Sequence, residues 1–250
     1  RNPFYPKMVS RISFHKVDAI IFCTKNPIPF LEYMDEMKHP FVLQVTLTPY
    51  RRDIEPFVPD KSKVIEAIQK ISQKIGTEFI YVRYDPIFLN DQYTIEYHCK
   101  AFEKMCRLLH NSVKHIIVSF IDNYKNVERH QDDLHLKKMT SQDLKRLGWA
   151  FGNIVQKYGM TIQTCTEEER LTEYGFLHRD CVDEELAYLL TGKVKWKRWK
   201  ARGNDTCHCV EMVDIGAYNT CKHYCKYCYA NYDELKIQER LLNHDPMSTM

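Results

Sequence analysis

The chain has no apolar run near the roughly 18 residues that a membrane-spanning helix needs, and Arg1-Asn2-Pro3-Phe4 opens no signal-peptide core. A soluble, cytoplasmic protein with no membrane partner is the expectation, although a chain that does not start with Met says little about leaders. Glycine and proline are scarce, 8 and 10 residues of 250, and no two glycines adjoin. Collagen-like, low-complexity and largely disordered classes are thereby excluded. An excess of one charge is also lacking: 36 Lys+Arg face 33 Asp+Glu, a formal net charge of +3. That balance implies neither a general nucleic-acid coat nor a membrane-surface binder, so any basic binding patch is local. What remains is a globular chain, 44% hydrophobic and 12% aromatic, of a length ordinary for a single α/β barrel.

Short β-branched runs alternate with helix-period segments, the pattern of βα units around a parallel sheet. Strands are expected at 18–23, 41–47, 79–84, 115–121, 160–165 and 212–217. Helices are expected at 62–75, where Val64, Ile65, Ile68, Ile71 and Ile75 form one stripe, and at 94–109, 141–158 and 183–192. Thr140 and Asp143 have capping-box spacing, and Gly76 and Gly159 stand where helices should stop. The polar stretch 123–138 lacks a clean period and reads as a lid or surface excursion. The array predicts an α/β fold, a partial or permuted (β/α) barrel with a parallel sheet and outer helices. In this reading residues 1–192 form the barrel portion, and residues 193–250 form a C-terminal cluster-binding segment that completes the same barrel.

Barrel enzymes place their chemistry at the carboxyl ends of the strands, where the loops converge. The residues at those ends are polar or ionisable: Lys25, Asn26, Thr48, Arg83, Asp85, Asp122 and Glu167. Arg83 and Asp85 could hold a substrate carboxylate, phosphate or hydroxyl, or could equally form an internal ion pair. Glu167 suits a proton donor or a cofactor ligand. Arg83, Asp85 and Glu167 are the candidate catalytic groups.

Ten cysteines are many for this length, and five lie between Cys207 and Cys228, a grouping that suggests metal ligation in a reducing compartment rather than disulfides. Cys221, Cys225 and Cys228 are spaced C-x3-C-x2-C, with Tyr227 just before the third. At this cysteine frequency chance would supply about 0.02 such motifs in the chain. Three thiolates on a short loop can hold three irons of a cubane cluster and leave the fourth without a protein ligand. The competing reading is a zinc knuckle completed by His223, Cys207 or Cys209. Cys207 and Cys209, with Cys181 or Cys165, could form a second metal or cluster site. Cys99 and Cys106 share a helical stripe with Phe102 and Leu109 and read as core. His98, His110, His115, His130, His135 and His178 share no metal spacing.

The cysteine loop resembles that of the radical S-adenosylmethionine (SAM) superfamily. Its position near the C-terminus resembles the uncharacterised family called domain of unknown function 1848. That likeness extends through Arg1-Asn2-Pro3, Thr24-Lys25-Asn26-Pro27, Arg52-Asp53-Ile54-Glu55-Pro56, Arg83-Tyr84-Asp85-Pro86 and Asp214-Ile215-Gly216-Ala217-Tyr218-Asn219-Thr220-Cys221. The resemblance implies a [4Fe–4S] cluster on Cys221, Cys225 and Cys228 with SAM on its open iron. It also implies Tyr227 beside the adenine and an external electron donor of the reduced ferredoxin or flavodoxin type, and Lys25 and Asn26, from their place at the predicted mouth, are the further cofactor-binding candidates. The expected activity is that of an oxidoreductase or lyase starting radical chemistry on a small-molecule or nucleotide substrate. The last predicted strand would stand where the superfamily has its first. The Gly-Gly-Glu stretch with which that superfamily often holds SAM is absent. The alternative is a non-catalytic iron–sulfur or zinc protein, with nucleic acid on the strip 193–202, where six cations surround two tryptophans. A solvated edge strand explains that strip more simply.

Overall fold

In the computed structural model, which describes residues 12–167, 171–198 and 207–245, the β-branched runs form five strands. They are β1 (Ile20–Thr24), β2 (Phe41–Thr46), β3 (Ile80–Ile87), β4 (His115–Phe120) and β5 (Thr161–Thr164). All neighbours pair in parallel in the order β1-β2-β3-β4-β5, so every strand lies beside its sequence neighbour. β3 runs three residues past its expected end, and its register against β4 shifts between Tyr84 and Ile87.

The helices are α1 (Phe30–Tyr33), α2 (Lys61–Ile75), α3 (Ile95–Leu109), α4 (Lys125–Arg129), α5 (Gln131–Leu134), α6 (Ser141–Lys157), α7 (Glu184–Thr191) and α8 (Glu234–Leu242). The longer ones start where a side chain can accept a free amide: Asp60, Thr94, Asp183 and Asp233 cap α2, α3, α7 and α8. Thr140 and Asp143 close the expected capping box on α6. No helix among the described residues is long and apolar enough to cross a membrane.

Strand alternation sends side chains to two different environments. Leu43, Val45, Ile80, Val82, Tyr84, Ile116, Val118 and Ile162 pack with α2, α3 and α6 in the main core, where Cys106 is fully buried and Cys99 packs against it. A Cβ on Gly152 of α6 would stand 2.0 Å from the Tyr174 carbonyl oxygen, so only glycine admits the chain returning from β5. The opposite sheet face carries Val42, Tyr81, Ile117 and Cys165 under a second apolar cluster with Val182, Leu186, Leu190, Cys207, Cys209 and Val210. Nearer the carboxyl ends this face turns polar, with Gln44, Arg83, Asp85 and Ser119.

Three expectations are corrected. Residues 212–217 form no strand, and Val213 and Ile215 are exposed: their alternation mimics a strand, but no neighbouring strand supplies a ladder. The stretch 123–138 is no free excursion. It forms α4 and α5 and buries Asn126, Val127 and Leu134. The described part of the basic strip is irregular, with Arg198 making a single antiparallel bridge to Val210. Arg1-Asn2-Pro3 and residues 199–202 lie outside the described residues.

Candidate metal centre at the strand ends

The C-x3-C-x2-C loop sits over the carboxyl ends of β1, β2 and β3, and a buried carboxylate holds it there. Glu55, 1% exposed, follows β2 and accepts from Thr48 Oγ1 at 2.5 Å and from Lys25 Nζ at 2.8 Å, and it also bonds Lys61 and the Tyr227 hydroxyl. Burial alone would raise the Glu55 pKa, but Lys25 and Lys61 outweigh it and pull the value down to about 2. Glu55 is therefore an anion at neutral pH, and its charge is neutralised by two lysines from separate segments. The Tyr227 ring lies on Tyr50 and Phe88, with Lys25 Nζ 5.3 Å from its centroid. Tyr227 thus faces inward as an anchor of the loop.

Backbone contacts complete the seat. Lys226 N donates to Ile54 O at 3.1 Å, and Phe57 N donates to His223 O at 3.3 Å. The Asn126 amide, buried beneath the loop, donates to the Cys228 and Asn231 carbonyls, each at 2.7 Å. Asn231 Nδ2 donates to Cys221 O at 2.5 Å, and Asn219 Oδ1 accepts from Tyr232 N and Asp233 N, closing the loop on itself. Asn219 and Tyr224 take positive φ of 55° and 54° where the chain reverses. Replacing Asn126 with Ala strands two buried carbonyls and is expected to cost about 2 kcal/mol. Chemical denaturation checks this, and an unchanged midpoint would show that the amide is not what seats the loop.

The three thiols differ in exposure: Cys221 is exposed, Cys228 half-buried and Cys225 buried. Burial raises the pKa of the Cys221 thiol and pushes that of Cys225 up to about 12. A bound metal must therefore displace the proton. Among the described residues no three His, Cys, Asp or Glu donors that include a loop cysteine lie within 4.8 Å of one another. A mononuclear zinc site would need thiolates about 3.8 Å apart, from Zn–S bonds near 2.3 Å in a tetrahedron. A cubane spreads its thiolates wider, because each binds a different iron. The loop offers three sulfurs, the soft donors that iron–sulfur clusters take, and among the described residues they are not gathered with another donor at mononuclear-zinc spacing, so the donor chemistry fits a cluster. His223 Nδ1 donates to Phe57 O at 3.0 Å, which ties the ring to the loop's own seat.

The other predicted site residues fall below and beside the loop. Arg83 donates from Nε and Nη2 to Asp85 Oδ2 at 3.1 and 2.8 Å and from Nη1 to Gln44 Oε1 at 3.1 Å, and the Ser119 hydroxyl donates to Asp85 Oδ1. Arg83 and Asp85 are thus joined by an internal ion pair, and despite burial Arg83 and Ser119 hold the Asp85 pKa below the usual carboxylate range. Glu167 Oε1 accepts from Phe120 N at 2.8 Å. Burial, with Asp122, Cys165 and Asp85 nearby, lifts its pKa to about 7. Asn26 Oδ1 caps its own Asn-Pro turn at Ile28 N, 3.2 Å away. Cys207 and Cys209 lie with Asp180, and Cys181 Sγ is 3.4 Å from Cys209 Sγ.

His98 is a satisfied core histidine. Its Nε2 faces the Phe88 carbonyl and so donates, which leaves Nδ1 to accept from Tyr84, and burial lowers its pKa to about 4. Sequence reasoning missed the roles of Glu55, Lys61, Asn126, Asn219, Asn231 and Asp180. For Glu55 the only signal was an acidic residue inside the Arg52-Asp53-Ile54-Glu55-Pro56 run.

No curated protein matches the chain. A family match spans residues 1–230 and so takes in all three loop cysteines. The chain belongs to the family described as Domain of unknown function (DUF1848).

Proposed function

We propose that the chain is a radical-SAM-like iron–sulfur enzyme whose sheet is the larger part of a permuted (β/α) barrel. One observation carries this reading: three cysteines on one short loop are docked at the carboxyl ends of parallel strands through Tyr227, Glu55 and Lys25. Strand ends are where such folds do chemistry. The consecutive parallel order of β1 to β5 suits the barrel reading, although the loop follows irregular chain rather than a sixth strand.

When bound, the cluster would supply the electron that splits SAM into methionine and a 5′-deoxyadenosyl radical. The chain's own residues would do the rest. Cys221, Cys225 and Cys228 hold the cluster. Lys25, locked to Glu55, brings positive charge beside the loop, where the carboxylate of a methionine moiety would be favoured. The Arg83–Asp85–Ser119 row forms a rigid polar wall on the same sheet face, and Glu167 offers a carboxyl that is half protonated near neutrality. The test is anaerobic incubation of the reconstituted chain with SAM and dithionite, with release of 5′-deoxyadenosine as the expected result. A reconstituted cluster that releases none would reduce the protein to a non-catalytic cluster carrier.

Glu167 gives a pH prediction. Its folded pKa is raised, so the protonated carboxyl is present below about pH 7 and lost above it, and a step using it as a proton donor should slow as pH rises through that value. Glu167→Gln should abolish this limb and lower the rate about 10²-fold. An identical pH profile in the variant would remove Glu167 from the reaction.

A further inference from the structure

A second metal site lies on the same sheet face, at the apolar end away from the cysteine loop. Two chain segments run side by side there. Val210 N donates to Val182 O at 2.9 Å, and His208 N donates to Asp180 Oδ1 at 3.0 Å. Cys207 and Cys209 (4% and 2% exposed) are both buried there, while His208 between them is exposed. The opposite segment is pinned to the sheet: Gln44 Nε2 donates to Cys181 O at 3.0 Å, and Gln163 Nε2 donates to Arg179 O at 3.3 Å. The ligand atoms of Asp180, Cys207 and Cys209 all lie within 4.8 Å of one another, and Cys181 Sγ is 3.4 Å from Cys209 Sγ.

We infer that Asp180, Cys181, Cys207 and Cys209 form a mononuclear structural zinc site. The spacing favours one ion over a cluster: the ligand atoms of Asp180, Cys207 and Cys209 meet within 4.8 Å, against about 3.8 Å between thiolates on a tetrahedral zinc, and Cys181, 3.4 Å from Cys209 but outside that trio, would close on the ion as the fourth ligand. Three thiolates and one carboxylate fill four positions and leave none for water or substrate, as structural zinc requires. Zinc binding releases the three thiol protons to solvent, with no oxidant or reductant involved. The ion would clamp the 179–183 segment, and through it α7, to the 207–210 segment across the lower sheet face. Cys165 stays outside the shell, in hydrogen-bond contact with Cys181. None of these residues belongs to the cysteine loop, so the inference stands apart from the cluster reading.

The full chain produced in zinc-supplemented medium should carry about one zinc per molecule by mass spectrometry of the metals. That zinc should remain in the Cys221→Ala/Cys225→Ala/Cys228→Ala variant and in His208→Ala, and should fall about tenfold or more in Cys207→Ser/Cys209→Ser. Should the last variant not fold, cobalt added to the metal-free native chain must give the intense visible bands of a tetrahedral thiolate site. Absence of both zinc and these bands in the native chain overturns the assignment. So does iron with acid-labile sulfide in the triple loop variant, or a Cys181–Cys209 disulfide in the zinc-supplemented protein.

Discussion

Cys225→Ala should leave a folded, colourless protein. After anaerobic reconstitution the native chain is expected to hold about four irons and four sulfides and to absorb near 400 nm, roughly where iron–sulfur charge transfer falls, and the variant should hold almost none. Release of 5′-deoxyadenosine should drop to background with it. Cys225 is the thiol to choose because it is the most buried of the three and is flanked by the two anchors, Lys226 N on Ile54 O and Tyr227 on Glu55. Its loss therefore removes a ligand while the seat survives. Cys106→Ala serves as the control, since that thiol is sealed in the main core and its removal changes packing without touching the loop. Full iron content in Cys225→Ala would end the cluster reading.

Glu55→Ala should be the most destabilising single change in the site. It leaves Lys61 and Lys25 facing each other in a half-buried space without their counter-ion, and it frees the Tyr227 hydroxyl. Breaking one partner out of a buried ion cluster costs about 3–5 kcal/mol, and partial exposure of Lys61 points to the lower end. For a chain of this size that is roughly a 10 °C fall in Tm. The same group gives stability a pH dependence. Its folded pKa is about 2 against an ordinary value of 4.5, so the stabilisation is fully present above about pH 5 and disappears as pH falls through 2. The difference amounts to about 3 kcal/mol. Denaturant titrations over that range check it: Glu55→Gln should flatten the slope, and an unaltered slope would mean that Glu55 is not the group responsible.

Much of the scaffold was legible because its determinants are local. The five strands lie within a few residues of their expected positions, since β-branched runs between capped helices carry their own signal. Asp60, Thr94, Thr140 and Asp183 cap the helices that the periodicity placed. The three loop cysteines were equally plain, because their spacing is itself the signal. What holds the loop was not legible. Glu55 and Tyr227 are 172 residues apart, and Asn126 and Cys228 are 102 apart, so nothing in either local stretch announces the contact. Residues 212–217 misled for the converse reason, since local alternation was present and the neighbouring strand was not. Asp180 escaped notice because a single carboxylate beside a cysteine has no spacing to read.

The sequential strand order bears on how the protein is made. Each strand can settle on the one synthesised just before it, so the sheet can form progressively as the chain emerges, with short closure distances throughout. Residues 219–231 come late, and their receptor of Lys25, Thr48, Glu55, Lys61 and Asn126 has by then already been translated. Ordering of the cysteine loop is therefore a docking event that follows formation of the sheet, and under the proposed reading any iron and sulfide would be loaded onto an already formed receptor rather than during its assembly.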